Sequence, residues 1–147
     1  MSKYNLIFFK EYTKLDNLLK RIYVAPQDKA GVTHYLEQMK AAEERGYRYD
    51  AAWERMYKKL RYWRHMRNNM AHNADAFETE NVSEQDVVLI RGFYREVLEC
   101  EDPLAPLFGR KKPKKKRPSD KENTGCWVAI AASIVLAAII LICVLHP

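Results

Sequence analysis

Residues 50–72 read DAAWERMYKKLRYWRHMRNNMAH. Trp53, Met56, Leu60, Trp63 and Met70 recur at steps of three, four, three and seven, which puts them on one helical face. Asp50 stands just before the run, where a short acceptor side chain caps the first free amides of a helix. This stretch is expected to be the most amphipathic helix of the chain, and its apolar face needs neighbours to cover it.

The flanking sequence supplies those neighbours as helices. Upstream, residues 3–23 carry Phe8, Tyr12, Leu15, Leu19 and Ile22 at alternating four- and three-residue steps, and Pro26 stops that helix. GVTHYLEQMKAAEE, residues 31–44, offers Thr33 as a cap and Val32, Tyr35, Leu36 and Met39 as an apolar side; Gly46 breaks it. Downstream, Ser83 with Asp86 three residues on has the form of a capping box, followed by Val87, Ile90, Phe93, Tyr94, Val97 and Leu98. DPLAPLFG, residues 102–109, reads as the exit from the domain. No stretch alternates with period two long enough for a strand. The expected fold is therefore all-α: a small antiparallel bundle of four helices over residues 1–109.

Charge and hydropathy divide the rest. Residues 110–125 hold eight Lys/Arg against Asp120 and Glu122, which accounts for the whole-chain net charge of +6; residues 1–109 balance at 17 basic and 17 acidic. Trp127 to Leu145, WVAIAASIVLAAIILICVL, is uncharged and, at about 1.5 Å per residue, long enough to cross a bilayer core of about 30 Å. A C-terminal transmembrane helix within residues 126–147 is expected. The seven basic residues between Arg110 and Arg117 then lie on the cytoplasmic side and contact anionic lipid. MSKYNLIFFKEYTK lacks a long apolar run, so no cleaved signal peptide is expected, and the N-terminal domain is assigned to the cytoplasm.

The basic end of the third helix carries the candidate site. From Trp53 to His72 there are six Lys/Arg against Glu54 alone. Arg67 falls within the apolar arc and must find a partner there. Asn68 and His72, four apart, share a face, so the amide can orient the imidazole. P-loop, G-x-S-x-G and H-E-x-x-H patterns are absent. Cys100, Cys126 and Cys143 form no metal-ligand spacing, so neither cofactor nor metal is expected.

Arg67, Asn68 and His72, as R-N-x3-H with two helices before and one after, resemble the HEPN superfamily of small helical bundles, over roughly residues 3–105. GVTHYLEQM, MRNNMAH and DPLA also resemble uncharacterised small bacterial proteins, a likeness that carries no activity. The HEPN resemblance implies a homodimer in which two such motifs face each other across a cleft and cut RNA without metal. His72 would move the proton of a ribose 2′-hydroxyl or of the leaving oxygen, Arg67 would stabilise charge on the scissile phosphate, and Asn68 would orient either.

Two alternatives stand beside it. Arg67 can pair with Glu11 or Asp16 while His72 caps its own helix end, a cluster that fixes packing and catalyses nothing. The domain would then be a non-catalytic module that binds a protein partner at the membrane. The Trp/Tyr pattern of the third helix is expected to be core and dimer surface, with His34 and His65 at the surface.

Overall fold

A computed structural model describes residues 3–47, 50–73, 75, 78 and 82–113; the expected membrane span and most of the basic run lie outside them. The described residues form four helices, α1 (Lys3–Ile22), α2 (Gly31–Glu44), α3 (Ala51–His72) and α4 (Glu84–Glu99), with no strand among them. They pack as a bundle. Among the described residues, no helix is long and apolar enough to cross a membrane.

Local chemistry sets most of the helix ends. Asp50 Oδ1 accepts from the amides of Ala52 and Trp53, both at 3.0 Å, and starts α3. Ser83 and Asp86 form the full capping box of α4, each side chain taking the other's amide. Cys100 closes α4 in the left-handed region, and Gly46 follows α2 with φ +80°. α1 ends at Ile22, before Pro26 is reached, where Val24 turns left-handed and the Ala25 amide bonds back to Lys20 O at 3.0 Å.

The start of α2 departs from expectation. Its N-cap is Ala30, with no side-chain cap of its own, and Thr33 does not serve as one. Asp16 of α1 does the work instead, accepting from the Val32 amide at 2.8 Å. α2 can approach that closely only because Gly31 lacks a Cβ: one built there would lie 2.0 Å from Asp16 O and 2.6 Å from Lys20 N.

The core joins Phe8, Tyr12, Leu15 and Leu19 of α1, Val32, Tyr35, Leu36 and Met39 of α2, Trp53, Leu60, Trp63 and Met70 of α3, and Val87, Ile90, Phe93 and Val97 of α4. Met66 is buried as well, whereas Met56 is only partly so and Leu98 is exposed. α1 and α4, not α3, divide polar from apolar most sharply, because basic residues interrupt the arc of α3.

The antiparallel order does not hold throughout. Tyr4 bonds Glu84 at 3.1 Å and Arg91 bonds Glu11 at 3.0 Å, so seven residues along α1 match seven along α4 in the same direction. α1 and α4 thus run parallel, and their C-terminal ends meet around Asp102.

Asp102 organises that end. Its side chain is fully buried; Oδ1 accepts from the hydroxyls of Tyr23 and Tyr35, and Oδ2 accepts from Arg110 at 3.1 Å. Arg110 also donates to Val97 O at 2.6 Å and to the Tyr23 hydroxyl at 3.0 Å. The Leu104 amide donates to Tyr35, and Leu104 and Ala105 are fully buried. The first half of DPLAPLFG therefore belongs to the core, Pro106 to Gly109 are exposed, and the compact unit continues to Pro113. Arg110, counted above with the lipid-facing run, is committed to the bundle.

Candidate functional site

α3 presents two kinds of surface. Trp53 and Trp63 are buried, so neither is free to stack on a base. The outer face carries Lys58, Arg61, Tyr62, His65 and Asn68, with Arg64 beside them; together these line an open depression of about 480 Å³. Arg61 lies 5.9 Å from the centre of the Tyr57 ring and Lys59 5.4 Å from that of Tyr62, which holds the cations in place without neutralising them.

Few acids meet these cations. Glu54 takes Lys58 at 2.6 Å, and Asp86 takes Lys59 at 3.3 Å. Among the described residues, Arg61, Arg64 and Arg67 form no ion pair. The two carboxylates expected for Arg67 are engaged elsewhere. Glu11 pairs with Lys14 and Arg91; burial raises its pKa, but the hydrogen bonds from those two cations outweigh that and leave it below the usual carboxylate value. Asp16 caps α2.

Arg67 is half-buried against α1, its guanidinium 5.8 Å from the centre of the Phe9 ring, and it donates to Asn68 Oδ1 at 3.3 Å. Arg67 and Asn68, with Arg64, reach a smaller recess of about 110 Å³ whose other walls come from α1 and α2: Tyr12, Thr13, Asp16, Ala30 and Thr33. Burial pushes the Tyr12 hydroxyl well above its ordinary pKa; Asp16 adds to that, while Arg67 and Arg64 oppose it.

The structure brings Arg67 and Asn68 together and leaves His72 apart. Five residues of helix separate Arg67 from His72 by about 7.5 Å along the axis and about 140° around it. His72 is exposed and makes no hydrogen bond among the described residues; the Asn73 amide, bonded to Asn69 O at 2.9 Å, closes the helix instead. Asn68 holds the arginine rather than the histidine. His65 is exposed as expected, whereas His34 is half-buried and its buried Nδ1 has no hydrogen-bond partner among the described residues. No group of three His, Cys, Asp or Glu side chains among the described residues could hold a metal ion.

Tyr12, Thr13 and Thr33 are the residues the motif did not point to; Asp16, a carboxylate expected near Arg67, does line the same recess. Tyr12 reads as one more core position and Thr33 as a cap; nothing in the local pattern of α1 or α2 assigns either to a site on α3.

The sequence model of a family of unknown function (DUF6548) matches residues 6–127. No curated protein and no solved structure matches the chain.

Proposed function

Because the chain belongs to the DUF6548 family, whose description names no activity, function has to be read from its own side chains, and we propose that it is a membrane-anchored, HEPN-like RNA-binding domain that cleaves RNA without metal. The observation that carries this reading is the unneutralised charge of α3: Arg61, Arg64 and Arg67 meet no carboxylate among the described residues, and two depressions open beside them. Such a face attracts a polyanion, and guanidiniums match phosphate oxygens in geometry as well as charge.

In this reading the outer face of α3 tracks the RNA backbone and its C-terminal end does the chemistry. His72, exposed at the helix terminus, exchanges the proton of a ribose 2′-hydroxyl or of the leaving oxygen, since an imidazole can both give and take a proton near neutral pH. Arg67 compensates charge on the phosphate. Asn68 holds Arg67 and orients the phosphate. His72 lies too far round the helix to act with Arg67 of its own chain on one phosphate, so the reading calls for a homodimer in which each His72 works opposite the partner's motif. The span from Trp127 to Leu145 holds the domain at the cytoplasmic face, and the basic residues from Lys111 to Arg117 meet anionic lipid.

Full-length protein in detergent, incubated with unstructured RNA in the presence of chelator, is expected to release fragments with cyclic-phosphate ends. His72→Ala should lower the rate by about 100-fold or more. Equal product from wild type and His72→Ala counts against cleavage. Binding that weakens steeply with salt, in the absence of any product, would leave RNA binding alone.

One observation favours a protein partner instead. A groove of about 570 Å³ between α3 and α4 is walled by Met56, Val88, Leu89 and Pro103, with Val88 and Leu89 exposed. A non-catalytic interaction module would use that groove and leave the basic face idle.

A further inference from the structure

The recess between α1, α2 and the end of α3 has features that a general basic face does not require. Arg64, Arg67 and Asn68 enter it from α3, Tyr12 and Thr13 from α1, and Thr33 from α2. Its volume, about 110 Å³, is that of roughly three or four waters. That accommodates one tetrahedral oxyanion, with the rest of a ligand outside the recess.

Tyr12 is the telling residue. It is only 4% exposed, and a tyrosine so deep in a helical core ordinarily finds a partner for its hydroxyl. Among the described residues, the Tyr12 hydroxyl makes no hydrogen bond, and the residue forms a wall of the recess. Its neighbours there are two guanidiniums that form no ion pair among the described residues. α2 begins at the same place: Ala30 provides no side-chain cap, and Ala30 and Thr33 line the recess. The positive end of a fourteen-residue helix adds to the field of the arginines. Asp16 is the one opposing charge. Its Oδ1 is occupied by the Val32 amide, so the recess carries two guanidiniums against one carboxylate that is already hydrogen-bonded.

We propose that this recess binds a phosphomonoester, and that the RNA held on α3 is engaged through a terminal phosphate rather than only through its internal backbone. The proposal rests in part on the RNA reading above, because Arg64, Arg67 and Asn68 serve both. A terminal group is favoured over an internal diester by charge and donors: it carries up to two negative charges and three free oxygens, against one charge and two free oxygens for a diester, and so better matches two guanidiniums and the hydroxyls beside them. Arg64 and Arg67 supply the charge, and the hydroxyls of Tyr12 and Thr33 donate to the oxygens; the Thr13 hydroxyl already donates to Phe9 O at 2.9 Å and only lines the wall. Asn68 Oδ1, by accepting from Arg67, holds that guanidinium beside the recess.

The test uses full-length protein in detergent with three probes: a short oligoribonucleotide with a 5′-phosphate, the same strand with a 5′-hydroxyl, and inorganic phosphate. The 5′-phosphorylated strand is expected to bind at least tenfold more tightly than its 5′-hydroxyl counterpart, and inorganic phosphate should compete for that difference. Tyr12→Phe keeps the buried ring and removes only the hydroxyl; Thr33→Val, at a partly exposed position of the recess away from the outer face of α3, offers a second variant should the first perturb folding. Each is expected to erase most of the tenfold preference while leaving 5′-hydroxyl RNA bound. Equal affinity for the two strands, with no competition by phosphate, overturns the phosphomonoester site and leaves RNA binding on α3 standing. Competition by phosphate for a fluorescent phosphomonoester, lost in Tyr12→Phe, with neither RNA bound, supports the site and overturns its RNA ligand. A preference unchanged in both variants overturns the assignment to this recess.

Discussion

Arg110→Ala is expected to lower the stability of the domain by about 3 kcal/mol, the scale of breaking a buried ion pair. The guanidinium makes three hydrogen bonds, to Asp102 Oδ2, the Tyr23 hydroxyl and Val97 O. Removing it leaves Asp102, whose side chain is fully buried, with donors on Oδ1 alone. An anion in that position has lost both its counter-charge and its water. Arg110→Lys keeps the charge, yet a single ammonium cannot reproduce the fork that reaches three acceptors, so about half the loss should persist. Lys111→Ala, exposed and next in sequence, should change nothing. Urea unfolding of the full-length variants in detergent measures all three; an Arg110→Ala midpoint within error of wild type would show that the cluster contributes no net stability.

The same cluster gives a pH dependence. Burial pushes the hydroxyls of Tyr23 and Tyr35 above their ordinary pKa, and hydrogen bonding to and repulsion by Asp102 push them further; on Tyr23, Arg110 opposes. A raised folded pKa means that stability is full below the unfolded tyrosine value of about 10 and is lost as pH rises above it. Unfolding midpoints should therefore fall above about pH 10, and Tyr35→Phe should reduce that slope.

Gly31→Ala is expected to cost about 3 kcal/mol, the upper range for forced overpacking, although glycine to alanine within a helix ordinarily stabilises by about 1 kcal/mol. The reversal follows from contact with backbone. The added Cβ would meet Asp16 O at 2.0 Å and Lys20 N at 2.6 Å, atoms of α1 that cannot rotate away. α2 must lift, which breaks the bond from the Val32 amide to Asp16 and loosens Val32, Tyr35, Leu36 and Met39 against α1. It would also open the recess, whose walls include Ala30 and Thr33. Gly92, within α4, has nothing within 4 Å of an added Cβ, so Gly92→Ala should stabilise by about 1 kcal/mol. Chemical denaturation of the two variants side by side should shift the midpoint in opposite directions. Two shifts of the same sign would mean that the α1/α2 contact is less tight than described.

The candidate site was legible only along one helix. Arg67, Asn68 and the basic surplus of α3 could be read from residues 53–72, because spacing along a helix fixes which side chains share a face. Which anion Arg67 meets could not. Glu11 and Asp16 are both within plausible reach from sequence, and each is withdrawn by a contact with another element: Glu11 by Arg91, eighty residues away, and Asp16 by the start of α2. The wall that Tyr12, Thr13 and Thr33 make with α3 is likewise a product of packing.

The sequence by itself determined the four helices, the Asp50 cap, the Ser83/Asp86 box and most of the core. Those depend on hydrogen bonds and periodicities that span three or four residues, and the same local chemistry operates in any surroundings. Only the tertiary structure decided that α1 and α4 run parallel, that Asp16 caps a helix other than its own, and that Asp102 gathers Tyr23, Tyr35 and Arg110. It also decided that a recess forms beside Arg67. Asp102 meets Tyr23 across 79 positions and Tyr35 across 67, and no local pattern encodes a partner at that distance. Such pairings are fixed when apolar faces choose their neighbours, and the polar groups carried on those faces take the partners that packing leaves them.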